Sequence, residues 1–359
     1  MRRRGPVKVL IVDDSPLVRA TLVRALSDVR TARVIGAAKD PYEARDLIIA
    51  YHPDVIILDL QMPRMDGLTF LRKLTIHYPV PVIMCSDSTP AGHLAALEAI
   101  EVGALDVIFK PAAPNRQSLQ RLGAELADKL RAASVSIPAP PPLPVKTTPP
   151  SFRSAGLDPN RYLVVLGAST GGTDAIRQLL VVTPSDFPPI AMVQHMPAGF
   201  TASFAQHLDR AAALSVREAV NGETIDPGTA LLARGDHQMQ IVTAGTGLRI
   251  RYTGTDLVNR HCPSVEVLFD SAARITTRKV IGVLLTGMGA DGAHALLRLH
   301  QAGAVTIAQD RQSCVVYGMP KVAVDLGAAQ FQCAPRDVPA TIVKALGGRS
   351  PAPAPVATP

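Results

Sequence analysis

The sequence predicts two α/β domains in one chain, each a mostly parallel sheet with helices packed against it. Three observations predict this. Short β-branched runs alternate with helical stretches through residues 1–131, the alternation resumes after residue 158, and a proline-rich segment lies between. Alternation of this kind reads as βαβ units. A chain of 359 residues has room for two full hydrophobic cores.

In chain order, "KVLIV", "VIGAA", "VIILDL", "PVIMCS" and "DVIFK" read as strands. The helical stretches "SPLVRATLVRAL", "PYEARDLIIAY", "TFLRKL" and "LAALEAIEVG" fall between them. About five βα units in this order predict a doubly wound sheet. "SIPAPPPLPVKTTPP" (136–150) holds almost nothing that builds a core and reads as a semi-rigid extended linker; the tail "SPAPAPVATP" has the same character. The expected boundaries are a first domain over 1–131, a linker over 132–157, a second domain over 158–349 and a disordered tail over 350–359. In the second domain "YLVVLG", "IAMVQH", "ALLARG", "VIGVLLTG" and "VTIAQ" read as strands, with a more mixed middle around 215–252.

Composition narrows the function. The chain is 47% hydrophobic and 19% charged, ordinary for a soluble globular protein, with a formal net charge of +7. That charge is spread thinly. Residues 1–131 carry 18 Lys and Arg against 15 Asp and Glu, and residues 158–349 carry 17 against 15. No segment has the basic stripe that a phosphate backbone demands, so nucleic acid is not expected as a partner. Cys85, Cys262, Cys314 and Cys333 form no C-x-x-C pair, which argues against a zinc site or a disulfide framework and for a reducing compartment. "MRRR" before "VKVLIV" imitates a signal peptide, but Asp13 and Asp14 end the apolar run early and no small-residue cleavage site follows. No stretch approaches the roughly 18 apolar residues of a membrane span. A cytoplasmic protein, not inserted in a membrane, is expected.

In doubly wound sheets, ligands bind beyond the carboxyl ends of the strands. Asp13 and Asp14 follow the first strand of the first domain, Asp59 ends "VIILD", Ser86 follows "VIMC" and Lys110 follows "VIF". Clustered carboxylates repel unless a cation holds them, and Mg²⁺ takes one or two carboxylates plus phosphate oxygens. A carboxylate beside that ion can accept a phosphoryl group, with a lysine and a hydroxyl stabilising the phosphate oxygens. A single loop aspartate reads more simply as a helix cap; three, with a lysine and a hydroxyl at successive strand ends, do not. This set resembles the response-regulator receiver domain over residues 7–131. The resemblance implies a flavodoxin-like fold with Asp59 as phosphoacceptor and a histidine kinase as phosphodonor. It further implies Mg²⁺ on Asp13, Asp14, Asp59 and the Gln61 backbone carbonyl, with Ser86 and Lys110 as the switch hydroxyl and lysine. One departure stands out: Val107 fills the usual aromatic switch position.

The second domain opens on "LGASTGG" (166–172), directly after an apolar strand. The glycines either cradle a phosphate at a helix N-terminus or present Ser169 as a nucleophile. No G-x-G-x-x-G or G-K-[ST] supports the first reading. G-x-S-x-G between a strand and the helical "TDAIRQLL" fits the second, although so short a pattern also occurs as a plain turn. A nucleophilic serine needs a base and an orienting carboxylate. "VQHMP" puts His195 at the next strand end, and "LLTGMGADGA" puts Asp291 in a glycine-rich turn at another. The order Ser…His…Asp is not that of ordinary α/β-hydrolases. His195 also reads as a strand-end histidine and Asp291 as a cap on "GAHALLRLH", with His207, His261, Asp236 and Asp310 in reserve.

"GASTGGT", "QHMPAGF", "NRHCPSVEVLF", "LTGMGADGA" and "SCVVYGMP", in this order behind a receiver-like domain, resemble the chemotaxis protein-glutamate methylesterase (CheB) family. The likeness covers about 7–131 and 160–346. It implies a Rossmann-like α/β methylesterase domain with Ser169 as nucleophile, His195 as general base and acid, and Asp291 orienting the imidazole. It also implies the Met288 N–H near the oxyanion and Thr170 supporting the serine turn. Arg234 departs from the proline common in the family. The implied activity is a phosphorylation-activated carboxylic ester hydrolase that demethylates glutamyl methyl esters on chemoreceptor helices, and deamidates glutamines there, without a cofactor for the hydrolysis itself. A DNA-binding output would need a short basic domain, which the near-neutral second half is not. Two further functions compete, a stand-alone esterase and a non-catalytic adaptor, and the Ser, His and Asp set speaks against the adaptor.

Overall fold

The structure is a computed structural model that describes residues 5–111, 115–135, 157–245 and 247–347. The expected tail and nearly all of the expected linker lie outside these residues. The chain divides into two compact units, Met1–Val145 and Lys146–Pro359.

The first unit is a five-stranded parallel sheet in the order β2-β1-β3-β4-β5. Its strands are β1 (Val7–Val12), β2 (Ala32–Ala38), β3 (Val55–Asp59), β4 (Val82–Ser86) and β5 (Asp106–Phe109). β3 and β4 are buried throughout, as expected of central parallel strands covered on both faces. The connecting helices are α1 (Pro16–Ser27), α2 (Pro41–Tyr51), α3 (Gly67–His77) and α4 (Pro90–Val102). α1, α2 and α4 each open on proline behind a capping side chain, from Ser15, Asp40 and Thr89 respectively. The cap satisfies an orphan N–H, and proline has none to satisfy. α5 (Arg116–Val135) closes the unit and runs past the boundary expected at residue 131. Leu122, Leu126, Leu130 and Ala133 continue its apolar stripe into the core around Leu22 and Leu26, so burial extends the helix into the segment expected to be linker.

The second unit is a seven-stranded sheet in the order β14-β13-β12-β6-β7-β9-β8, with every adjacent pair parallel. Its strands are β6 (Tyr162–Ala168), β7 (Ile190–Gln194), β8 (Ser215–Glu218), β9 (Thr229–Leu232), β12 (Lys279–Leu284), β13 (Val305–Gln309) and β14 (Phe331–Cys333). β8 and β14 are absent from the sequence reading for a physical reason. "SVRE" and "FQC" are short edge strands with few buried positions, and sheet edges carry little apolar pattern. The mixed middle contains an antiparallel hairpin, β10 (Gln238–Ala244) and β11 (Gly247–Thr253). Its Met239, Ile241, Leu248 and Ile250 pack into the same core as Val265, Leu268 and Phe269 of α8 (Val265–Ala272). The helices nearest the strand ends are α6 (Gly172–Val181), α7 (Phe200–Ala211), α9 (Ala293–Gln301) and α10 (Met319–Asp325). No helix among the described residues is long and apolar enough to cross a membrane.

Candidate functional site

Both units place polar residues where the strand order reverses, the crevice that such sheets use for ligands. In the first unit that point lies between β1 and β3. Asp13 and Asp59 are both buried there, at 0% and 2% exposure, and Asp14 stands exposed beside them. One carboxylate oxygen from each of the three lies within 4.8 Å of the others, an acidic cluster typical of a cation site. Lys110 Nζ reaches in at 2.9 Å from Asp59 Oδ1 and 3.1 Å from Asp13 Oδ2. Lys110 thus pairs with both buried carboxylates. Burial pushes the Asp59 carboxyl up to about 6, while the Lys110 hydrogen bond pulls against it and the Asp13 charge adds to it. Burial likewise raises Asp13. Ser86 is buried, and its hydroxyl donates to the Gly92 carbonyl at 3.1 Å. The Gln61 backbone N–H bonds Asp59. Val107 is buried; the neighbouring aromatic, Phe109, instead sets its ring edge-on to His93 of α4, 5.0 Å between centroids.

In the second unit the reversal lies between β6 and β12. Ala168 of β6 pairs in register with Gln194 of β7, and the His195 N–H donates to the Ala168 carbonyl at 3.1 Å. Ser169 and His195 therefore leave neighbouring strands side by side. On the other flank Leu284 of β12 pairs with Gly167, and the Ser169 N–H donates to Thr286 O at 3.0 Å. The loop after β12 turns against the serine at Gly287. A Cβ there would lie 2.7 Å from Ser169 Cβ and 2.3 Å from Met319 Sδ, so only glycine admits this approach. That loop then carries Met288 and delivers Asp291.

Asp291, 3% exposed, is surrounded by donors. His195 Nε2 lies 2.8 Å from Oδ2, and the Val265 N–H donates to the same oxygen at 2.7 Å. Oδ1 accepts from Ser264 Oγ at 2.7 Å and Asn259 Nδ2 at 2.9 Å. Burial alone would raise this carboxyl, but the hydrogen bond and charge of His195, then Asn259 and Ser264, hold it at about 2. It is ionised at neutral pH and acts as an acceptor, so Nε2 of His195 carries the proton. Nδ1, the other ring nitrogen, is buried and has no hydrogen-bond partner among the described residues. Asp291 does not cap the helix that follows it. Gly292 holds the N-cap position of α9 without a side-chain bond, and the carboxylate instead meets the first turn of α8, where the helix dipole favours its charge.

Three further residues contribute to the site. Asn259, at φ 51° and so in the left-handed region that asparagine tolerates, and Ser264 complete the donor set on Asp291. His261, held only in reserve, stacks on His195 with ring centroids 3.6 Å apart and planes 10° apart. Burial, then the His195 charge, pushes His261 down to about 3, so it is a neutral ring. All three lie in "NRHCPSVEVLF", but spacing alone could not say which strand-end loop that segment meets. Asp310 Oδ1 accepts from the Ser313 N–H and Asp236 pairs with His237. Arg234 is exposed and its N–H donates to the Tyr252 hydroxyl. Thr170 is buried, with its carbonyl accepting from Thr286 Oγ1 at 3.0 Å.

Comparisons with known proteins match both units. Residues 164–342 match the family model described as CheB methylesterase, and residues 9–120 match the response regulator receiver domain. A protein-glutamate methylesterase/protein-glutamine glutaminase of Bordetella avium is 48% identical over 325 residues, 90% of this chain and 92% of the relative. One from Chromohalobacter salexigens is 45% identical over 94% of this chain and 96% of its own. Among solved structures, the CheB methylesterase catalytic domain of Thermotoga maritima aligns with a TM-score of 0.50 at 36% identity, covering 51% of this chain and 97% of that one.

Proposed function

This chain belongs to the protein-glutamate methylesterase/protein-glutamine glutaminase family, with a response-regulator receiver ahead of its CheB methylesterase region, and we propose that it demethylates glutamyl methyl esters on chemoreceptor cytoplasmic helices. In the same site it deamidates glutamines there, as the adaptation step of chemotaxis. One observation carries the reading: Asp291 joins the His195 imidazole to the first turn of α8 at the strand edge that Ser169 occupies.

The chemistry follows from the residues. Ser169 Oγ attacks the ester carbonyl while its proton passes to His195 Nδ1, the nitrogen left open by the Asp291 bond. The imidazolium so formed is held by the Asp291 carboxylate. The Met288 N–H and the Thr170 N–H, the latter on the residue after the nucleophile, stabilise the oxyanion, usually the largest single contribution to such a rate. His195 returns the proton to the departing methoxide and methanol leaves. Water, deprotonated by the same nitrogen, then attacks the acyl carbonyl; the bond to Ser169 Oγ breaks, His195 returns the proton to that oxygen, and a glutamate carboxylate is released. With a glutamine side chain, ammonia leaves instead.

In the receiver, Asp59 accepts a phosphoryl group from a histidine kinase of the chemotaxis type, and this raises the hydrolysis rate. The three converging carboxylates, two of them buried, suit a hard cation, and Mg²⁺ would be held by Asp13, Asp14, Asp59 and the Gln61 carbonyl. When bound, it neutralises the phosphoryl oxygens. Lys110 pairs with the phosphate, and Ser86 leaves the Gly92 carbonyl to donate to it. The test is methanol release from methylated receptor membranes by wild type and Ser169→Ala, with and without acetyl phosphate. Wild type releases methanol and is stimulated; Ser169→Ala releases none under either condition. Equal release by the two proteins would overturn the reading.

A further inference from the structure

The last residue of β7, Gln194, is polar, 4% exposed and unused by the mechanism above. Its side-chain amide donates from one nitrogen to two backbone carbonyls, Ser169 O at 2.9 Å and His195 O at 3.3 Å. Both neighbours are acceptors only, so the nitrogen must face them. Oε1 then points the other way, buried and without a hydrogen-bond partner among the described residues. It lies so close to the start of α6 that a Cβ on Gly172 would sit 2.2 Å from it. A buried amide oxygen without a partner is costly, and such a cost persists where the group serves a purpose.

A trans peptide is planar, with its C=O and N–H pointing in opposite directions. Fixing the Ser169 carbonyl therefore fixes the Thr170 N–H. Two donors hold that carbonyl from behind: Gln194 Nε2 and the Gly172 N–H at 2.7 Å. The other candidate oxyanion donor is built the same way. The Gly287 carbonyl accepts from the Met319 N–H at 2.8 Å, which aims the Met288 N–H. Among the described residues, neither the Thr170 N–H nor the Met288 N–H has a hydrogen-bond partner, so both remain available as donors.

We propose that Gln194 is a positioning residue for the hydrolysis. It anchors the Ser169–Thr170 peptide so that the Thr170 N–H faces the developing oxyanion, and it ties that peptide to the backbone of His195. The inference rests on the proposed Ser169 hydrolysis. Losing one oxyanion donor costs about 10²–10³ in kcat. Because the Gly172 N–H still holds the same carbonyl, removing Gln194 Nε2 alone should cost about 10–100-fold.

The test compares full-length wild type, Gln194→Met, Gln194→Glu and Ser169→Ala. Each is assayed for methanol release from methylated receptor membranes. Each is also assayed for inhibition by a peptide carrying a boronic acid in place of the ester, which forms a tetrahedral adduct on the serine. For either Gln194 variant kcat should fall about 10–100-fold with KM within about threefold, and the boronate Ki should rise by a similar factor. A purely structural glutamine would lower Tm without this split. Unchanged kcat and Ki in a folded variant, or a fall in kcat with Ki unmoved, would overturn the proposal. On the wild-type protein, the Gln194 side-chain amide protons should exchange at least about tenfold more slowly than those of exposed glutamines. Exchange at the free rate would also overturn it, whether or not the variants fold. An active Ser169→Ala would instead overturn the function on which it rests.

Discussion

Replacing Asp291 with asparagine changes one atom, and its consequences can be followed contact by contact. Every hydrogen-bond neighbour of the carboxylate is a donor: His195 Nε2 and the Val265 N–H on one oxygen, Ser264 Oγ, Asn259 Nδ2 and, at 3.4 Å, the Glu266 N–H on the other. An amide offers one oxygen and one NH₂. If its nitrogen takes the place of Oδ2, it donates to His195 Nε2, moves the imidazole proton to Nδ1, and meets the Val265 N–H head on. The nitrogen that should take the serine proton is then already protonated. If it takes the place of Oδ1, the amide faces the Asn259 NH₂, while Ser264 can turn its hydroxyl to accept. In a well-studied serine hydrolase the corresponding change lowers turnover by about 10⁴, and the same order is expected here for Asp291→Asn in methanol release. Leaving one or two buried donors unpaired costs about 1–3 kcal/mol each. For a domain of this size that lowers Tm by roughly 2–4 °C per kcal/mol, so the variant should remain folded at assay temperature. Activity within tenfold of wild type, or a comparable loss in Asp310→Asn, would refute the reasoning.

Ser169→Ala should lower the rate by about 10⁶ with little change in Tm; residual activity within tenfold of wild type would move the nucleophile elsewhere, and Cys262→Ser would be tested next. Acid should weaken the second unit through Asp291, whose carboxyl is held at about 2 against an ordinary 3.8. A depressed folded-state value stabilises above the unfolded value and is lost as pH falls through the folded one. Wild type should therefore lose about 2 kcal/mol between about pH 4 and pH 2 that Asp291→Asn does not lose, read by denaturant titration at each pH. Gly287→Ala should destabilise by about 1–3 kcal/mol and slow hydrolysis at least about tenfold, because its Cβ would drive the loop away from Ser169 and Met319; a rate equal to wild type would show that the approach is unimportant. Asp59→Asn should abolish stimulation by acetyl phosphate and leave the unstimulated rate in place; stimulation that survives would remove Asp59 as phosphoacceptor.

The sequence by itself determined what local chemistry can carry. Apolar β-branched runs specify buried parallel strands, and polar residues directly after such runs must fall at the sheet edge where ligands bind. Asp13, Asp59, Lys110, Ser169 and His195 were legible for that reason, and Asp291 through the glycine turn around it. The edge strands Ser215–Glu218 and Phe331–Cys333 were not, because a half-covered strand leaves no period to read. Tertiary structure alone decided which strand ends become neighbours. The order β12-β6-β7 and the register Ala168 with Gln194 bring together three loops that are far apart along the chain. That arrangement lets Asp291 reach a histidine 96 positions earlier, sets Asn259 and Ser264 on its Oδ1, lays His261 on the imidazole face, and turns Gln194 toward the Ser169 carbonyl. Each of these contacts joins separate loops across the sheet edge, so its energy depends on a geometry that no local pattern of residues encodes.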